Sequence, residues 1–199
     1  EVLKTLQKKE TTEIYHVPLA SDFSVFKKKL SQTKKYPISF IGNYDLERET
    51  YLKEIREINN LFIFGVNWKR KCKNVELRPR FFEPKVNNKF CQTVQASIVN
   101  LNILRQQNKN SQNMRTFEIP ACGGFVLHEF SEEVEEMFQE GRNIEFFRDV
   151  NEMNEKIEFY LQNPEKAALI GENGWRNVFE NNHTYAERVK NIIQIINSN

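Results

Sequence analysis

Residues 113–129, Asn-Met-Arg-Thr-Phe-Glu-Ile-Pro-Ala-Cys-Gly-Gly-Phe-Val-Leu-His-Glu, read as a short helix that turns through Gly123-Gly124 into an apolar strand. A helix N-terminus carries unpaired N–H groups and a partial positive charge that suit a phosphate. Arg115 adds a forked cation there. Glu118, one turn further in, offers a carboxylate that can accept hydrogen bonds from a pair of hydroxyls. A nucleotide presents both groups. Pro120 removes a backbone donor inside this helix and is expected to bend it.

Outward from this stretch, short apolar runs alternate with longer helical patterns, which predicts βαβ units and a mainly parallel sheet with helices on both faces. Strands are expected at 13–17, 38–42, 61–65, 97–103, 125–128 and 144–147. Helices are expected at 46–58, where Leu46, Leu52, Ile55 and Ile58 recur at helical spacing, and at 86–95 and 113–122. The C-terminus reads as helical: Asp149 caps a helix at 150–161, Asn163-Pro164 starts a second reaching about 180, and a third covers 184–196. Residues 1–37 read differently, as a helix, a strand and the segment Val17-Pro18-Leu19-Ala20-Ser21-Asp22-Phe23.

With 39% hydrophobic and 28% charged residues, the 199-residue chain can bury a full core. Its 29 basic and 27 acidic residues leave a net charge of +2, which disfavours nucleic acid as the main partner. Lysine runs such as 27–29 read as solvated faces. Cys72, Cys91 and Cys122 are widely spaced and odd in number, so neither a disulfide framework nor a zinc site is expected, and a reducing, cytoplasmic setting fits. No apolar run approaches the roughly 18–20 residues of a transmembrane segment. The chain begins without Met, in what reads as mid-helix, and is expected to be a piece of a longer protein.

The run Arg-Thr-Phe-Glu-Ile-x-Ala-Cys-Gly-Gly-Phe (115–125) is followed by Glu-Glu-Met-Phe-Gln-Glu-Gly (135–141), Phe-Arg-Asp (147–149), Leu-Gln-Asn-Pro-Glu (161–165) and His-Thr-Tyr-x-x-Arg (183–188). Together these motifs resemble the C-terminal half of the spore-maturation (CgeB-type) glycosyltransferase-like family, from about residue 17 to 191. The family belongs to the GT-B glycosyltransferases, whose two Rossmann-like domains face each other across a cleft. The resemblance implies a nucleotide-sugar-binding Rossmann-like domain at 38–180, a crossing segment and the end of an acceptor domain at 1–37, and a C-terminal helix at 181–199. Most of the N-terminal acceptor domain lies outside such a chain, and the acceptor is not specified.

The resemblance also implies site residues. Gly42, after the first central strand, would let the backbone approach a phosphate. Related retaining enzymes follow this glycine with an Arg and a later Lys on the donor diphosphate; here Asn43 stands at the first place, and Arg48 and Arg115 are the candidates to supply the cations. Many relatives carry two glutamates with seven residues between them. Glu118 matches the second, expected on the ribose, and Asn110 stands where the first would be. Asn113, Thr116 and Phe117 border the same helix start. Trp68 matches a tryptophan of the cleft wall, with packing as the equal alternative, and Arg80 and Phe81 fall where the base is held.

The implied chemistry is transfer of a sugar from a nucleoside diphosphate, retaining and without a metal or other cofactor, with Arg115, Glu118 and Arg48 at its centre. The fragment alone is expected to be inactive. His16, His128 and His183 lack a nucleophile context, and Glu132, Glu133, Glu135 and Glu136 read as a solvated helix face without an Asp-x-Asp pattern. A sugar-nucleotide epimerase or hydrolase of the same architecture, or a non-catalytic interaction module, remain as alternatives.

Overall fold

The computed structural model describes residues 14–28 and 33–198. Six strands form one parallel sheet: β1 (Tyr36–Ile41), β2 (Leu61–Phe64), β3 (Phe81–Phe82), β4 (Ser97–Asn102), β5 (Val126–Glu129) and β6 (Glu145–Phe147). Their order is β3-β2-β1-β4-β5-β6, and each neighbouring pair is parallel. This is the doubly wound, Rossmann-like arrangement. The helices are α1 (Leu46–Leu52), α2 (Trp68–Lys71), α3 (Asn87–Gln95), α4 (Met114–Ala121), α5 (Glu132–Glu135), α6 (Val150–Gln162), α7 (Pro164–Glu180) and α8 (Tyr185–Ser198).

Side-chain alternation along the strands divides the core into two layers. Ile38 and Phe40 of β1, Ile63 of β2, Val99 and Leu101 of β4 and Leu127 of β5 face the layer closed by Leu52 of α1 and by Met153 and Ile157 of α6. Ile41, Phe64, Val126 and Phe146 face the opposite layer, closed by Phe90 and Val94 of α3, Phe117 and Ile119 of α4 and Val178 of α7. Strands buried on both faces explain why the runs are apolar throughout rather than alternating.

The second layer contains a polar ladder at the sheet centre. Ser39 Oγ donates to Asn100 Oδ1 at 2.9 Å, and Asn100 Nδ2 donates to the Phe125 carbonyl at 2.9 Å. One step along β4, Asn102 exchanges hydrogen bonds with Asn113 at 2.9 and 3.2 Å. Buried polar side chains need such partners, and this ladder fixes the start of α4 against the end of β4.

Several expectations are corrected. Residues 14–17 form no strand; residue 13 and the helix expected before it lie outside the described residues. The helix expected over 46–58 ends at Leu52, because Asn154 of α6 holds the following turn: its Oδ1 accepts from the Arg56 N–H at 2.9 Å and its Nδ2 donates to the Glu54 carbonyl at 2.9 Å. Strand β3 was not expected. Cys91 of α3 and Cys122, at the end of α4, are joined in a disulfide with Cα atoms 5.2 Å apart, where three free thiols were expected; only Cys72 is free. Pro120 lies in the last turn of α4, which runs on to Ala121. The three C-terminal helices lie where the caps predict. Along α8 the apolar side chains Val189, Ile192, Ile193 and Ile196 are exposed, and no described helix is long and apolar enough to cross a membrane.

Candidate functional site

In open α/β sheets ligands bind outside the carboxyl ends of the strands, where the strand order reverses. Here that point lies between β1 and β4. A cleft of about 290 Å³ opens there, bordered by Gly42 and Asn43 after β1, Arg48 of α1, Arg105 and Asn108 after β4, and residues 113–115 at the start of α4.

Three arginines meet in this cleft. Arg48 is 9% exposed, and its Nε and Nη1 donate to the carbonyls of Ile103 and Asn43, each at 3.1 Å, so it bridges the loops after β4 and β1. Burial, and then the charge of nearby Arg105, push its pKa down to about 10, which leaves it a cation at neutral pH. Arg105 has its Nε 3.7 Å from Asp45 Oδ2. Arg115 donates through Nε to the Ile41 carbonyl at 3.1 Å, lies 4.3 Å from the Phe90 ring centroid and pairs with Glu118. Set against these three cations, Asp45 and Glu118 leave a net positive cleft, which favours an anion. Glu49, next to Arg48 in sequence, does not neutralise it. Its carboxylate accepts from the Tyr44 hydroxyl at 2.8 Å and from the N–H groups of Asn74 and Lys73 at 3.0 and 3.1 Å. Burial opposes its ionisation, but these bonds outweigh burial and hold its pKa below the usual value.

Backbone donors contribute less than the sequence suggests. The Asn113 side chain accepts from the N–H groups of Arg115 at 2.8 Å and Thr116 at 3.3 Å, closing a capping box with Thr116. The N–H of Gly42 donates to the Phe64 carbonyl at 2.9 Å, and its own carbonyl accepts from Trp68 Nε1 at 2.8 Å. Gly65 is fixed as glycine by the same approach, because a Cβ there would collide with the Gly42 carbonyl oxygen. The charge-bearing part of the cleft is therefore made of side chains.

The other expected residues separate into two groups. Asn43 stays in the cleft, with Oδ1 accepting from the Val66 N–H at 3.3 Å. Glu118 is 8% exposed at its side chain and held by Arg115. Asn110 is exposed, in a left-handed conformation with φ of 59°. Thr116 is buried, its Oγ1 2.9 Å from His128 Nε2. Phe117 is fully buried between Phe138 and His183 and does not face the cleft. Trp68 is 1% exposed and packs edge-on to Phe40 and Tyr44, so packing is what it does in this structure. Arg80 is displaced to the wrong edge: it precedes β3 and donates to the Asn59 carbonyl at 2.9 Å, just before β2, at the amino ends of both strands. Phe81 turns into the core against Trp68. The next ring, Phe82, is 39% exposed and borders a hollow of about 320 Å³ with Gly65 and Val66 at the carboxyl ends of β2 and β3.

Arg105, Asn102 and Glu129 are site neighbours that sequence reasoning missed. Arg105 had a usable signal, since it follows a strand-like run just as Gly42 does. Asn102 and Glu129 carry none, because their roles come from contacts distant in sequence, Asn102 with Asn113 at the start of α4 and Glu129 with the Leu104 N–H and the Tyr51 hydroxyl. A larger hollow of about 710 Å³ lies between residues 135–143 and α7, but its Arg142 and Arg176 are outnumbered by Glu135, Glu136, Glu140 and Glu180. It is a poor place for an anion.

No curated protein matches the chain significantly in sequence. Among solved structures, TarM of S. aureus, in complex with UDP, superposes with a TM-score of 0.73 at 13% identity, over 98% of this chain and 42% of TarM. HepE of Anabaena, in complex with UDP-glucose, gives 0.66 at 10% identity, over 90% of this chain and 56% of that one. The C-terminal domain of a group 1 glycosyl transferase from Francisella tularensis gives 0.59 at 11% identity, over 80% of this chain and 97% of that one. The chain thus spans about two fifths of TarM and most of an isolated C-terminal domain; the likeness shows a shared GT-B domain fold. The model of the family described as Glycosyl transferase-like matches residues 48–194, most of the chain, and the chain belongs to that family.

Proposed function

We propose that this chain is the donor-binding domain of a glycosyltransferase, which holds the diphosphate of a nucleotide sugar in the cleft between β1 and β4 and activates it for transfer to an acceptor. The observation that carries the reading is the convergence of Arg48, Arg105 and Arg115 at the strand-order reversal of a Rossmann-like sheet. Charge on a nucleoside diphosphate grows as the glycosidic bond breaks, and fixed guanidinium groups in a partly desolvated cleft stabilise it. That supports departure without a metal ion. Glu118 orients Arg115 and offers its carboxylate to the ribose hydroxyls. UDP and UDP-glucose in TarM and HepE make a uridine donor the first to test. The exposure of Phe82 beside the hollow at the carboxyl ends of β2 and β3 favours it over Arg80 and Phe81 as the side chain that would meet the base. The motifs of residues 115–188 support a CgeB-type enzyme acting with retention, and the acceptor site would come from a further domain.

Calorimetric titration with UDP, GDP, ADP, TDP and CMP, with and without magnesium, tests this. Binding of one diphosphate, unaffected by magnesium and weakened about tenfold or more in Arg115→Ala, is expected, since a charge-assisted hydrogen bond contributes about 1.5–3 kcal/mol. Absence of binding to every nucleotide would favour an interaction module. Product analysis on a chain carrying both domains separates transfer from epimerisation or hydrolysis.

A further inference from the structure

The loop between β4 and α4, residues 103–112, carries Arg105 into the cleft and is pinned at both ends by the β5–α5 segment. At its start the Leu104 N–H donates to Glu129 Oε2 at 2.9 Å. At its end Ser111 Oγ donates to Glu133 Oε2 at 2.7 Å. Glu129 is 6% exposed; its other oxygen accepts from the Tyr51 hydroxyl at 3.3 Å and lies 3.8 Å from Lys109 Nζ. Lys109 in turn reaches Glu47 of α1 at 2.7 Å. A carboxylate taken out of water is costly unless donors surround it, and here the donors all belong to the cleft loop and to α1.

Arg105 follows Leu104 directly, so the peptide that Glu129 grips sets the direction in which Arg105 leaves the sheet. Its Nε is buried without a hydrogen-bond partner, and Asp45 is too far for one. Arg105 also repels Arg48, whose charge it destabilises. Two like charges stay together only where the backbone between them is held. We propose that Glu129 is a positioning residue that aims Arg105 at the diphosphate of the donor. The inference rests on the donor-binding reading given above and assigns within it a role to a residue that touches no substrate.

A double-mutant cycle read by calorimetric titration with UDP tests it. Arg105→Ala and Glu129→Ala are each expected to weaken binding roughly tenfold, the scale of one charge-assisted contact. If Glu129 acts through Arg105, the double variant loses no more than about twofold beyond Arg105→Ala, a coupling typical of residues in one network. Glu129→Gln keeps an acceptor for the Leu104 N–H and is expected to recover most of the affinity. Thermal melts report folding, and Glu129→Leu, which keeps the volume, replaces Glu129→Ala if that variant unfolds. Losses that multiply to about a hundredfold in the double variant, or full affinity in Glu129→Ala, would overturn the inference while leaving donor binding intact. A wild-type chain that binds no UDP would instead sink the donor-binding reading, and this inference with it.

Discussion

Arg48 is the side chain whose loss is expected to cost most at the site, because it serves fold and charge together. Arg48→Ala leaves the carbonyls of Ile103 and Asn43 without a donor and removes one of three cations. It should lower stability by about 1–3 kcal/mol and weaken diphosphate binding in the same titration; a variant as stable and as tight as wild type would contradict the bridging role. Asn113→Ala is expected to cost about 1–2 kcal/mol, read as a lower urea midpoint at unchanged slope, since it removes a cap and strands Asn102. At this scale the sequence was partly legible. The neighbourhood of Arg48 and Arg115 could be read because each sits early in the helix that follows a central strand, Arg48 in α1 after β1 and Arg115 in the first turn of α4 after β4. Arg80 and Phe81 could not: Arg80 immediately precedes β3 and Phe81 opens it, and a strand of only two residues gives no pattern from which its amino and carboxyl edges can be told apart.

At the scale of elements, capped helices and long apolar strands were readable, and contact-made features were not. Asp149 and Pro164 mark the starts of α6 and α7 in the chain itself. The early end of α1 depends on Asn154, about a hundred positions away, which no local pattern announces. The pairing of Cys91 with Cys122 is of the same kind, since α3 and α4 become neighbours only when the sheet is wound. With the disulfide formed, alkylation of the denatured chain without reductant should label Cys72 alone, and with reductant all three cysteines. Three labels without reductant would contradict the bond. Cys91→Ala should cost about 2–4 kcal/mol in the oxidised protein.

For the whole molecule, pH is an informative variable. Arg148 donates to Glu140 at 2.8 Å and Lys156 approaches it at 2.9 Å, and these partners hold its pKa at about 2 against an ordinary 4.5. The stability this adds is complete above pH 4.5 and is lost as pH falls toward 2. Burial pushes His128 and His183 down to about 4 from 6.5, so the unfolded chain takes up protons first and stability falls from pH 6.5 to 4. Urea unfolding across this range should therefore show two successive losses, and Arg148→Met should reduce only the more acidic one; an unchanged acid limb would contradict the Glu140 assignment. Donor binding is assigned to one place on the molecule, the cleft between β1 and β4, and amide chemical-shift mapping during a UDP titration locates binding directly. Perturbations concentrated at residues 42–44, 103–109 and 113–116 are the predicted result. Shifts clustered instead around residues 135–143 and α7, or none at saturating UDP, would contradict it.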